Sequence, residues 1–271
     1  MKRMFLLVTT LSMVVAACGQ GGTETASGAS DTTVAEQAST EPFCDAAIQT
    51  EIVAAAGPDV DFETATDDEI GAAIGDFAGR LEPLLDDLET HTPPDLKEPV
   101  DTITALLRES LETGEPVFQQ PVFFEAEALV DQYVLANCEV GQMSVTGIDY
   151  EFQGVPETMT AGTVALDFTN EGGEVHEMVV FRINDGVTES VGELLDLPDE
   201  EVERKIQFVG SAFAEPGSGD VGFVELSAGN YAVVCFIPVG ATKTEALESG
   251  ELGESPPHFT VGMVAEFTVE D

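Results

Sequence analysis

From Phe43 to Cys138 the apolar residues of this chain recur every three or four positions, the period of a helix that buries one face. Breakers divide the stretch into four segments. Phe43, Ala47, Ile48 and Ile52 share a face of the first, which stops at Gly57-Pro58. Thr66-Asp67-Asp68-Glu69 has the capping-box pattern, a hydroxyl followed three residues later by Glu. It introduces Ile70, Ile74, Phe77, Leu81, Leu84, Leu85 and Leu88, and His91-Thr92-Pro93-Pro94 ends that helix. A third helix runs from about Asp95 through Val100, Ile103, Leu107 and Leu111 to Gly114, and Phe124, Leu129, Val130, Tyr133 and Val134 mark a fourth. Connections this short favour antiparallel neighbours, so the pattern predicts a four-helix bundle over residues 42–139.

Past Cys138 the period changes to two. Val145–Phe152, Thr163–Thr169 and Glu266–Glu270 alternate, or run β-branched and aromatic, with Gly, Asn and Pro between them. Several short strands of this kind predict an all-β sandwich or barrel over residues 140–271. Val191 to Val209 interrupts them with a charged, helical pattern carried by Leu194, Leu195, Val202 and Ile206, which predicts a helical insertion at about 189–209. The fold class is therefore α+β and multidomain, a helical bundle followed by a β-sandwich, with no internal repeat.

The N-terminus adds a destination. Lys2 and Arg3 precede an apolar stretch from Met4 to Ala17 that is short for a permanent membrane span, so residues 1–17 read as a secretory signal. Its end, Val15-Ala16-Ala17-Cys18, resembles the lipobox of bacterial lipoproteins, which implies lipidation of Cys18 and attachment to the bacterial cell membrane by acyl chains from the extracytoplasmic side. Residues 18–41, rich in Gly, Ser, Thr, Ala and acid, read as a flexible tether. Nine basic against 52 acidic residues give a net charge of −43, which repels phosphate backbones and excludes nucleic acid as a partner. The same charge has two readings, steering towards a basic partner or solubility in saline surroundings.

Four cysteines then have to be placed. In an up-and-down bundle the start of the first helix lies beside the end of the last, where Cys44 and Cys138 fall, and an exported protein can pair them as a disulfide. His91 sits alone in a Pro-rich turn and reads as a surface residue. With Cys18 lipidated, Cys235 is left over, at the end of the strand-like run GNYAVVC. His176 opens another strand after a Gly-containing turn, and His258 and Met263 precede the last strand. Two imidazoles, a thiolate and a thioether form the donor set with which copper transfers electrons: the soft sulfurs favour Cu(I) and the imidazoles serve both oxidation states.

The order Asn170, His176, Tyr231, Cys235, Pro238, His258, Met263 resembles the cupredoxins, the blue-copper family of plastocyanin and azurin, over residues 141–271. The resemblance implies a Greek-key β-sandwich and one copper ion cycling between Cu(I) and Cu(II). His176, Cys235 and His258 would be the ligands, Met263 the axial ligand, and Tyr231 and Phe236 packing that excludes water. Two positions depart from the family pattern. A long acidic loop, 238–257, separates Cys235 from His258, and Glu177 stands where the family often has an Asn that braces the cysteine loop.

The expected function is that of a lipid-anchored copper protein transferring single electrons to or from a redox partner with a basic surface, and not of an enzyme. Two alternatives stay open, a binding or structural lipoprotein whose metal site is vestigial, and copper delivery or storage. Gly-x-Ser-x-Gly, His-Glu-x-x-His and Gly-rich phosphate-loop patterns are absent, which counts against a hydrolase.

Overall fold

The structure is a computed structural model that describes residues 41–271 apart from 63, 115, 116, 118, 119, 250, 251, 253 and 254. The signal segment, Cys18 and the tether up to residue 40 lie outside the described residues. Four long helices come first, α1 (Glu41–Ala56), α2 (Asp67–His91), α3 (Lys97–Thr113) and α4 (Pro121–Asn137). Their ends follow the chemistry of the sequence. Thr66 caps α2 and Glu69 returns the bond to the Thr66 N–H at 2.8 Å, and Gly114 ends α3 in the left-handed region at φ 75°. A 3-10 turn, Pro94–Leu96, leads into α3. Each helix packs on the next and α4 returns to α1 around Phe43, Leu81, Leu85, Val100 and Val134. The pairing expected from that order is present, with Cys44 and Cys138 bonded across 94 positions.

Among the described residues nine strands follow in two sheets. In one sheet β2 (Glu151–Gln153), β1 (Gly141–Ile148), β4 (Gly162–Asn170) and β7 (Gly219–Leu226) lie in that order. In the other the order is β3 (Thr158–Thr160), β9 (Val264–Glu270), β8 (Gly229–Val234), β5 (His176–Ile183) and β6 (Ile206–Ala214). The pairs β1–β4 and β3–β9 are parallel and the remainder antiparallel. Their inner faces meet in a core that includes Met143, Leu166, Phe168, Met178, Val180, Tyr231, Val233 and Phe267.

Both outer faces are covered as well. Ala165 and Phe223, on the far side of the first sheet, are buried against α1 and α4. On the far side of the second, Val179, Phe181, Ala232 and Val234 pack under α5 (Val191–Leu195) and α6 (Asp199–Val202). That double coverage explains why β5 and β8 read as nearly continuous apolar runs instead of alternating.

Two expectations need correction. Val145–Phe152 is not one strand: the chain turns at Asp149-Tyr150, where Tyr150 takes φ 68°, and β2 folds back on β1. The helical insertion ends before 209. Pro198 divides it into two short helices, and Ile206 to Val209 already belong to β6, paired with β5. Ile206 fits either period, which is why the pattern extended the helix too far.

The seam between helices and sheet holds four carboxyl groups, Glu51 on α1, Glu127 and Asp131 on α4, and Asp220 on β7. Glu51 accepts a hydrogen bond from the Phe223 N–H (3.0 Å) and Asp220 one from the Phe213 N–H (2.8 Å). Burial raises the pKa of all four, and their mutual repulsion adds to the rise in Glu51, Glu127 and Asp131.

Candidate metal centre

Strand register decides what meets at one end of the second sheet. Val179 pairs with Val234 and Val234 with Val264, so the start of β5, the end of β8 and the start of β9 lie side by side. Along β8, Tyr231 and Val233 face the inner core while Ala232, Val234 and Phe236 face outward, and Cys235 continues the inner set. Along β5, Met178 and Val180 face inward, and His176 continues that set. Cys235 and His176 thus point into the sandwich from neighbouring strands at the same end.

His258 arrives from much farther along the chain, 23 positions after Cys235. The intervening loop is closed at its base. Pro238 and Pro257 form a β-bridge, the Val239 N–H donates to the Pro256 carbonyl (2.9 Å) and the His258 N–H to the Ile237 carbonyl (2.8 Å). The acidic excursion therefore leaves and re-enters at one point, and its interior includes the short helix α7 (Thr244–Ser249). A 3-10 turn, His258–Val261, then presents the imidazole.

Three donor atoms converge. Nδ1 of His176 lies 3.1 Å from Nδ1 of His258, which lies 3.3 Å from Sγ of Cys235. All three residues are fully buried, and their ligand atoms lie within 4.8 Å of one another. Among the described residues they form the one group of three or more His, Cys, Asp or Glu donors so placed. A triangle of that size suits bonds of about 2.0 Å to nitrogen and about 2.3 Å to sulfur. Met263 is also fully buried, and its backbone joins the site, accepting from the Cys235 N–H (3.2 Å) and donating to the His258 carbonyl (3.1 Å).

The β half is cupredoxin-like. Two stacked sheets deliver a histidine at a strand start, a cysteine at the neighbouring strand end, and a histidine and methionine on the connection to the closing strand, as the resemblance in the sequence implied. The soft thiolate with two imidazoles fits a single copper ion. No protein-family model matches the chain, and no curated protein does. Among solved structures, the chain is similar to dithionite-reduced auracyanin from the photosynthetic bacterium Roseiflexus castenholzii, at 17% identity and TM-score 0.30 over 48% of this chain and 97% of that one. It is similar to auracyanin A, a "blue" copper protein from the green thermophilic photosynthetic bacterium Chloroflexus aurantiacus, at 14% identity and TM-score 0.31 over 48% and 98%. A multi-copper oxidase from Pediococcus acidilactici shows 15% identity and TM-score 0.26 over 50% of this chain and 27% of that one. The reading of the site rests on its own geometry.

Several residues of this cupredoxin-like domain hold the donors in place. Asn170 is fully buried; its Nδ2 donates to the carbonyls of Glu174 and Ala214 (both 2.8 Å), and its Oδ1 accepts from the Gly172 N–H (2.8 Å), which shapes the turn that delivers His176. A Cβ on Gly172 would lie 2.5 Å from Asp149 Oδ1 and 2.7 Å from His176 Nε2, so only glycine lets the backbone pass that closely. Glu177 takes the bracing role expected of the Asn it replaces, accepting the Phe236 N–H at 2.9 Å. Its neighbour Phe236 packs edge-on against Phe181 and Phe259 on the outer face. Tyr231 works elsewhere. Its hydroxyl donates to the Ser227 carbonyl (2.7 Å) and its ring stacks on Phe267, so it ties down the far end of β8 and does not shield the metal ligands.

Sequence reasoning passed over two acids. Glu174 Oε2 lies 2.9 Å from His258 Nε2, and Asp149 Oδ1 lies 3.4 Å from His176 Nε2, too far for a good hydrogen bond. Glu174 stands two residues before His176, but among 52 acids its position carried no signal.

Electrostatics keep the imidazoles neutral. Burial, reinforced by His258, lowers the pKa of His176 to about 4, and burial lowers that of His258 against the pull of Glu174. Glu177 is pushed up to about 7 by burial, and the Cys235 thiol is raised by burial and then by Glu177. In the metal-free site the thiol therefore keeps its proton at neutral pH, and metal binding must release it. His91 lies on the surface with Nδ1 2.9 Å from the Asp87 carbonyl oxygen, as expected.

Proposed function

We propose that this chain is an exported, lipid-anchored copper protein that carries single electrons through a mononuclear site made by His176, Cys235, His258 and Met263. The convergence of two Nδ1 atoms and one Sγ in a fully buried pocket carries the reading. Copper bound there would supply a one-electron couple between Cu(I) and Cu(II). The chain's own contribution is rigidity: Cys235 is fixed by its backbone bond to Met263, His176 by the Asn170 turn, and His258 by the pinned loop base. A site held in one shape on both sides of an electron transfer reorganises little. Burial of all four residues leaves no room for a substrate, so we read a carrier and not an enzyme.

The pinned base also favours electron transfer over copper delivery, because the backbone that carries His258 cannot move away without breaking the Pro238–Pro257 bridge. We read the helical half as a four-helix bundle that spaces the copper domain from the membrane, with Cys18 as the lipidated residue. A redox partner with a basic surface would meet the acidic exterior.

The test is to load the purified protein with Cu(II) and record visible absorption and electron paramagnetic resonance beside Cys235→Ala. An intense thiolate-to-copper band with narrow copper hyperfine splitting, lost in the variant, is the expected result. A colourless protein without stoichiometric copper would turn attention to the vestigial-site reading.

A further inference from the structure

We propose that Glu174 is the positioning residue of this site, fixing His258 as a ligand through Nδ1 and biasing the centre towards its oxidised state. The second half of this proposal rests on the copper reading above; the first half does not.

The carboxylate of Glu174 gathers three donors from three separate pieces of chain. Oε1 accepts from the Tyr150 hydroxyl (3.0 Å), at the turn between β1 and β2. Oε2 accepts from the Gly240 N–H (2.5 Å), at the start of the acidic loop, and lies 2.9 Å from His258 Nε2. A carboxylate can only accept at neutral pH, so Nε2 of His258 must carry the hydrogen. The lone pair is then left on Nδ1, the atom that faces His176 and Cys235. The tautomer that a metal requires is thus selected before any metal arrives.

The need for such a brace follows from the chain. With a short connection between Cys235 and His258, one tight turn would place both. Here 23 positions separate them, and the pinned base fixes the backbone of His258 but not the rotation of its ring. Glu174 supplies that constraint from outside the loop. Tyr150 also packs edge-on against the His258 ring, with centroids 5.2 Å apart.

Proximity of an acid means little in so acidic a chain, but the two histidines are treated unequally. Asp149 stands 3.4 Å from His176 Nε2 with a side chain 46% exposed, whereas Glu174 stands 2.9 Å from His258 Nε2 with a side chain 15% exposed. A hydrogen bond to a charged, sheltered carboxylate is the stronger kind. It also makes the imidazole a better electron donor, as carboxylate–histidine pairs do at metal sites, and that favours the more highly charged metal state.

The experiment uses the whole protein in two states. Without metal, nitrogen-15 NMR of histidine-labelled protein reads the ring tautomers directly. His258 is expected as Nε2–H in the wild type and as a mixture in Glu174→Gln, which keeps the side chain's shape and removes its charge. With copper bound, Glu174→Gln is expected to lose tenfold or more in Cu(II) affinity and distinctly less in Cu(I) affinity. Each tenfold change in that ratio raises the reduction potential by about 59 mV. Asp149→Asn should leave the potential nearly unchanged. An Nδ1–H tautomer at His258 in the wild type overturns the proposal whether or not copper binds, as does a potential in Glu174→Gln equal to that of the wild type. Copper failing to bind while His258 holds the Nε2–H form would refute the copper reading and leave the positioning role of Glu174 standing.

Discussion

Replacing Asp220 by Asn removes one buried carboxyl from the seam between helices and sheet and relieves Glu51, Glu127 and Asp131 of its repulsion. In the native protein burial lifts the Asp220 pKa to about 6, from an ordinary value of 3.8. The native state therefore holds a proton that the unfolded chain gives up, and its share of stability is present below 3.8 and lost as pH rises through about 6. At 1.36 kcal/mol per pH unit across that interval, the loss is about 3 kcal/mol when complete. Asn at this position keeps an acceptor for the Phe213 N–H and has no proton to lose. Guanidinium denaturation of metal-free wild type and variant at a series of pH values from 4 to 7 gives the quantity needed, the difference between their stabilities. Taking that difference cancels His176, whose depressed pKa acts the other way, removing stability as pH falls from the ordinary 6.5 through about 4. From Asp220 alone the variant should gain about 2 to 3 kcal/mol on the wild type between pH 4 and pH 7, and the relief of Glu51, Glu127 and Asp131 acts in the same direction. A difference constant to within about 0.5 kcal/mol would refute the reasoning, because it would mean that Asp220 titrates alike in both states.

Replacing Cys44 and Cys138 together by Ser should cost about 4 to 5 kcal/mol, the closure entropy of a loop of this length, read as a lower guanidinium midpoint. Gly172→Ala should lower copper affinity tenfold or more in a competition titration, because the added Cβ meets His176 Nε2 and the Asp149 carboxylate. The metal-free chain should lose stability as well, because the added Cβ meets the buried His176 ring whether or not a metal is bound. Thr66→Ala removes the hydroxyl that accepts the Glu69 N–H, leaves the bond from the residue-66 backbone N–H to the Glu69 carboxylate, and should cost about 1 kcal/mol in thermal or chemical unfolding.

Much of this was legible in the chain. The α2 boundaries followed from Thr66, Glu69 and the prolines after His91, because capping chemistry is local and the side chains that satisfy helix ends are few. The Cys44–Cys138 pair followed from the helix order. His176, Cys235 and His258 were legible because histidine and cysteine are scarce here, so their order along the strands stood out. What failed was non-local or ambiguous. The break at Tyr150 is a single left-handed residue inside an alternating pattern, and no period marks it. Ile206 to Val209 satisfies helix and strand alike, and pairing with β5 decides the matter. Glu174 was invisible because its meaning depends on Tyr150, Gly240 and His258, which only the folded chain assembles.

The Pro238–Pro257 bridge separates distance along the chain from mechanical distance. The bridge closes the acidic loop at its base, so the backbones of Cys235 and His258 are held together as if joined by a short turn. Beyond the bridge, Thr244 is anchored to Glu215, and Leu247 and Leu252 pack on the core that holds Cys235 and Met263.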